Sequence, residues 1–173
     1  MTFRRPARAG DPDSPQAAYL LGLRWLASRE LSEGQVRERL ERRGFSAPAV
    51  AAAIARLTQA RALDDRRAAL AAARTDVTIR HHGPLRVLRR LQEMGIDQDL
   101  ARHTVGELFD EIDQADLMRR ALARRLPAGA GASRDPAELR RLYAYLVRQG
   151  FAPSAVASLL RSRRGRGPAP ADD

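Results

Sequence analysis

Arg86, Arg89 and Arg90 stand three and four positions apart, and Arg120 and Arg124 four apart, spacings that set guanidinium groups side by side on one helix face. Arg140 and Arg141 form a further pair. Guanidinium binds phosphate in a bidentate fork, so the chemistry these residues offer is the holding of an anionic polymer. All 31 basic side chains are arginine, set against 21 acids for a net charge of +10. With no lysine, a P-loop and Schiff-base catalysis are both excluded. The chain has no cysteine either, which removes disulfides, thiolate metal sites and cysteine nucleophiles. His81, His82 and His103 are the only histidines. The first two are adjacent and point to different sides of a regular backbone, with no carboxylate pattern to complete a metal site. Asp64 and Asp65 resemble a catalytic acid pair, but they precede an apolar helix and read as caps. No enzyme, cofactor, metal or small-molecule substrate is expected.

The elements that position these residues recur three times. Val36, Leu40, Gly44 and Phe45 are followed by Val87, Leu91, Gly95 and Ile96, then by Leu142, Leu146, Gly150 and Phe151. The three glycines recur at intervals of roughly 50 residues, a period suited to stacked helical repeats. In each copy two apolar residues four apart share a helix face, the glycine stops the helix in the left-handed conformation, and the next apolar residue folds back. The fold class is therefore all-α, an elongated, curved array of three tandem three-helix repeats.

Nine helices are expected. The first repeat, residues 16–63, holds helices over 17–29, 32–43 and 47–60, with Ser32 and Gln35 forming a capping box. The second, residues 64–112, opens at Asp64 and Asp65 on a helix to about Asp76, and has Leu85, Leu88 and Leu91 as the inner stripe of a helix starting at Pro84. Asp97 caps its last helix. The third, residues 113–164, contains a Gly/Ala-rich loop over 127–133 and restarts at Asp135, which caps a helix with proline at its first position. Residues 1–15 and 165–173 read as disordered tails.

Charge is uneven. Residues 17–63 carry 8 Arg and 4 acids, residues 64–112 carry 8 and 9, and residues 113–173 carry 12 and 6. Basic outer repeats suit an elongated body whose ends or one long face lie along an anionic polymer. Glu107, Asp110 and Glu111 form an acidic cluster suited to a basic patch on a protein partner. Trp25, Tyr143 and Tyr145 could stack on bases, although Trp25 and Tyr143 lie beside apolar positions and read better as packing residues. No apolar run reaches the roughly 20 residues that a membrane span requires, and the first ten residues lack an apolar signal core. A soluble cytoplasmic monomer is expected.

The motifs resemble those of the RecX family of bacterial regulators of the RecA recombinase. The likeness is carried by Leu31-Ser32 with Val36 to Phe45, by Leu63-Asp64-Asp65 with Ala68, and by Gly83 through Ile96, and it extends over about Ala17 to Arg164. The resemblance implies a non-enzymatic protein of tandem three-helix repeats lying in the groove of a RecA–DNA filament. It implies inhibition of ATP hydrolysis, strand exchange and filament growth in recombination, repair and the SOS response. Arg86, Arg89, Arg90, Arg120, Arg124, Arg140 and Arg141 are the candidate filament contacts. The alternative is an autonomous, sequence-nonspecific nucleic-acid-binding helical protein.

Overall fold

The computed structural model describes residues 11–126 and 135–165. Among them every regular element is helical: α1 (Pro15–Leu26), α2 (Glu33–Arg42), α3 (Ala47–Gln59), α4 (Asp65–Thr78), α5 (Pro84–Glu93), α6 (Gln98–Asp110), α7 (Gln114–Ala123), α8 (Pro136–Arg148) and α9 (Pro153–Gly165). Helix α1 begins ahead of the expected Ala17. The Ser14 side chain accepts from the Ala17 amide and Pro15 occupies the first turn, so the first helix starts inside the stretch read as a tail. At the other end Gly165 still belongs to α9. Residues 1–10, the 127–133 loop and residues 166–173 lie outside the described residues.

The three corner glycines have φ of +90° at Gly44, +75° at Gly95 and +93° at Gly150. The amide that follows each one reaches back to the last turn of the helix: Phe45 to the Leu40 carbonyl at 3.2 Å, Ile96 to Leu91 at 3.1 Å, and Phe151 to Leu146 at 3.3 Å. This is the Schellman bond that satisfies an orphan helix carbonyl. Phe45, Ile96 and Phe151 are all buried, so the fold-back supplies apolar contact as well. Arg61 and His81, both at φ 55°, make two further left-handed corners without glycine. Composition gives no sign of these, since such a residue tolerates the conformation at a cost of roughly 1 kcal/mol.

The chain forms two compact units. Among the described residues, one comprises those up to Ala72 together with Leu91–Ala101, the other Ala73–Arg90 together with those from Arg102 onward. In the first unit α1 packs on α3 and α2 around Val36, Leu40, Val50, Ile54 and Leu57. In the second, α7, α8 and α9 pack on one another, and Leu122, Leu146, Phe151 and Val156 are fully enclosed. The packing units therefore run across the sequence repeats, and the helices of the middle repeat contribute to both. In α5 the buried stripe is Val87 and Leu91, continued by Met94 just past the helix, while Leu85 is 54% exposed and Leu88 half-buried. The expected Leu85–Leu88–Leu91 stripe is thus corrected. Its spacing is equally helical, but it lies rotated from the face that the corner Gly95-Ile96 turns inward.

Each unit contains one backbone docking of the same kind. Ser32 holds the same place ahead of Gly44 as Gly83 holds ahead of Gly95, so the two are equivalent positions of successive repeats. The Ser32 hydroxyl donates to the carbonyl of Met94, immediately ahead of Gly95. The Gly83 amide donates at 2.8 Å to the carbonyl of Gln149, immediately ahead of Gly150, and the Leu85 amide donates to the Gly150 carbonyl at 3.1 Å. A Cβ on Gly34 would stand 2.9 Å from the Met94 carbonyl oxygen, and one on Gly83 2.6 Å from the Gly150 carbonyl carbon and oxygen. At both places backbone meets backbone, and only hydrogen fits.

Two glycine substitutions separate these effects. A Cβ on Gly44 would meet nothing within 4 Å, so Gly44→Ala carries only the left-handed penalty of about 1 kcal/mol. Gly83→Ala forces two backbones apart and should cost more, on the order of 3 kcal/mol. Urea denaturation of the two variants should show the larger loss for Gly83→Ala, and equal losses would contradict the docking.

Candidate nucleic-acid and partner interface

The arginines proposed from spacing differ sharply in what surrounds them. Arg86 is half-buried at the second docking, where its Nη1 donates to the Arg148 carbonyl and to Gln149 Oε1, each at 3.2 Å. Arg90 sits with its Nε 3.6 Å from Asp76 Oδ1. Arg89 is exposed to solvent. The three side chains do not share one free face: the two that flank the inward stripe are committed within the unit and only the outermost is available. Arg120 is paired by Asp116 at 2.7 Å across one helical turn. Arg124, Arg140 and Arg141 are exposed.

Asp76 is 1% exposed and organises the end of α4. Its Oδ1 takes Arg80 Nη1 at 2.9 Å, its Oδ2 lies 3.2 Å from His82 Nδ1, and the His82 amide donates to its backbone carbonyl at 3.0 Å. A carboxylate so enclosed is tolerated only because each oxygen has a partner, and leaving a buried charge unpaired typically costs about 3–5 kcal/mol. Spacing alone gives no hint of this cage, because Asp76 looks like any polar residue ending an amphipathic helix. The buried His82 imidazole is held below the ordinary histidine range by burial first, with Arg86 and Arg80 adding to the effect against the opposing hydrogen bond and charge of Asp76. His81 is also lowered, by burial and then by Arg124, Arg120 and His82, and its Nδ1 is buried without a hydrogen-bond partner.

The carboxylates divide likewise. Ser32 caps α2 reciprocally with Gln35, Asp64 accepts from the Arg67 amide at 3.0 Å, and Asp135 caps α8. Asp65 does not cap its own helix. It accepts the Glu33 amide at the start of α2 at 2.7 Å, and burial raises its pKa before any other influence. Asp113 caps α7 through the Asp116 and Ala115 amides, which hold its carboxyl below the usual range. Glu107, Asp110 and Glu111 remain exposed at the end of α6, where the helix dipole favours cations rather than acids. Glu107 meets His103 at 3.1 Å, and none of the three caps a helix. Nearby, a groove of about 580 Å³ is lined by Val77, Leu108, Ile112 and Leu117 together with the charged Arg74, Asp113, Asp116 and Arg120. Among the described residues no three His, Asp or Glu side chains converge as metal ligands, and no helix is long and apolar enough to cross a membrane.

Known proteins share this helical fold. The model of the "RecX, first three-helix domain" matches residues 18–57. Regulatory protein RecX of Syntrophotalea carbinolica is 32% identical over 140 residues, covering 80% of this chain and 91% of the relative. The chain belongs to the RecX family of regulatory proteins. The RecX protein of Thermotoga petrophila is 30% identical over 143 residues, covering 83% of this chain and 82% of its own length. The crystal structure of RecX from Lactobacillus salivarius superposes with a TM-score of 0.73 at 17% identity, covering 87% of this chain and 96% of that one. A second crystal structure of regulatory protein RecX gives a TM-score of 0.69 at 19% identity, covering 86% and 71%. The helical fold expected from the repeats is thus the RecX fold.

The histidines give a pH prediction. Their folded pKa values lie below the free value, so the unfolded chain binds more protons as the pH falls through about 6.5. Stability should be undiminished above that pH and decline below it, toward the lowered folded values. Thermal melts of His82→Gln, which keeps a hydrogen-bond donor for Asp76, should fall less on acidification than those of the parent. An identical pH dependence in both would contradict the assignment to His82.

Proposed function

We propose that this RecX-family chain regulates recombination by binding the RecA–DNA filament and restraining its ATP hydrolysis, strand exchange and growth. In this reading a cytoplasmic monomer of three helical repeats contacts DNA through its phosphates without reading its sequence, with protein contacts made separately. The observation that carries it is the separation of charge roles. Arg86 and Arg90 are consumed within the fold, whereas Arg89, Arg124, Arg140 and Arg141 stand exposed in a protein of net charge +10. Exposed guanidinium groups attract a polyphosphate and release its counterions without reading its sequence. The Glu107, Asp110 and Glu111 cluster is the candidate protein contact, because it is exposed, opposes the dipole of its own helix and caps no helix.

The test is inhibition of RecA ATP hydrolysis on single-stranded DNA. Arg89→Glu with Arg124→Glu should weaken inhibition and flatten its salt dependence, the slope falling by roughly one for each phosphate that is no longer neutralised. Neutralising Glu107, Asp110 and Glu111 to their amides should weaken inhibition while leaving binding to naked DNA unchanged or tighter. If both variants inhibit like the parent at moderate salt, the proposed faces are solvated surface and the assignment fails.

A further inference from the structure

In the first unit, away from the arginines considered above, an open cleft of about 340 Å³ is lined by Trp25, Arg39, Arg42 and Arg43. Trp25 lies in the last turn of α1, half-buried against the Val36–Leu57 core. Its body is therefore fixed while the rest of the ring borders the cleft. The Arg39 guanidinium lies 5.9 Å from the ring centroid, at the outer limit of a cation–π contact, so it flanks the indole without sealing it. Arg42 is two-thirds exposed and reaches Glu38 only at 3.8 Å.

The C-terminal turn of a helix welcomes cations, which accounts for a basic residue there. It does not account for Arg39, Arg42 and Arg43 converging beside an indole. Arg39 is held below the guanidinium range first by burial, and the positive charges of Arg29 and Arg42 add to the effect, with Glu38 opposing least. An anion in the cleft would relieve that repulsion. A fixed aromatic plane edged by guanidinium groups, in a volume suited to one small ligand, matches a base joined to its phosphates. An acidic peptide would satisfy the charges but has no use for the ring.

We propose that this cleft is a single-strand nucleic-acid subsite in which one base stacks on Trp25 while its flanking phosphates are held by Arg39, Arg42 and Arg43. The proposal rests on the reading that the chain contacts nucleic acid, and extends that contact from phosphate to base. Stacking tolerates any sequence because every base has a π-face, so the subsite adds affinity for unpaired strands without sequence selection.

Trp25 is the only tryptophan in the chain, so its fluorescence reports this site alone. The full-length protein is titrated with an oligothymidylate roughly ten nucleotides long and with an abasic strand of equal length, binding being followed independently by anisotropy of a strand-end label. Oligothymidylate should quench Trp25 and bind at least about five-fold tighter than the abasic strand, the lower end of the stacking contribution. Trp25→Leu, which keeps an apolar side chain against the core, should erase that preference while retaining abasic-strand binding. Arg42→Ala with Arg43→Ala should weaken both strands. Binding without quenching, or equal affinity for the two strands, overturns the base subsite and leaves the phosphate reading standing. No binding of either strand overturns both for naked nucleic acid. Equal quenching by polyglutamate assigns the cleft to acidic peptide and overturns the proposal.

Discussion

The structure depends on a carbonyl that stands one residue ahead of a corner glycine and receives a hydrogen bond from the repeat before it. A left-handed corner turns that carbonyl out of its own helix, where it has no partner, and a buried carbonyl must find one. In the first unit it finds the Ser32 hydroxyl, and in the second the Gly83 amide. Both donors hold the same place ahead of the next glycine corner in sequence, so one rule joins repeat to repeat by two different chemical groups. The two compact units are the two instances of this bond. The helices of the middle repeat serve both, since that repeat offers its corner to one docking and its Gly83 to the other.

So close an approach has consequences for charge. Bringing Gly83 onto the Gln149 carbonyl places Arg86 beside Arg148 and Gln149, where it is absorbed as a structural donor. The turn that carries Gly83 also carries His82 onto Asp76, whose other oxygen engages Arg80 and Arg90. A buried carboxylate thus engages two arginines and leaves Arg89 outside. The proposed filament contact falls to the arginines that this arrangement does not use, and the Trp25 cleft lies in the other unit with its own set of guanidinium groups.

Much of the fold was legible from residue types. Glycine followed by Phe or Ile at a nearly constant interval, together with capping residues such as Ser32 and Asp135, located the helices because caps are local and act within a turn. The left-handed corners at Arg61 and His81 were not legible, since neither residue type announces the conformation. The roles of Gly34 and Gly83 were hidden for another reason. A glycine required by close approach looks, in sequence, like a glycine in a turn, and the partner backbone belongs to the following repeat. Arginine spacing found candidate faces but not commitments, because Arg86, Arg89 and Arg90 share helical periodicity and differ only in what the docked neighbours present to them. Leu85 misled in the same way, its position beside the docked backbone leaving the side chain in solvent.

Backbone docking, and not side-chain burial alone, holds each repeat to the next. Native-state amide hydrogen exchange measures this at the donors themselves. The Gly83 and Leu85 amides should exchange as slowly as core amides such as those of Leu146 and Val156, because breaking their bonds to Gln149 and Gly150 requires opening the whole second unit. Exchange of Gly83 and Leu85 at the rate of solvent-exposed turn amides, with the core still protected, would contradict it.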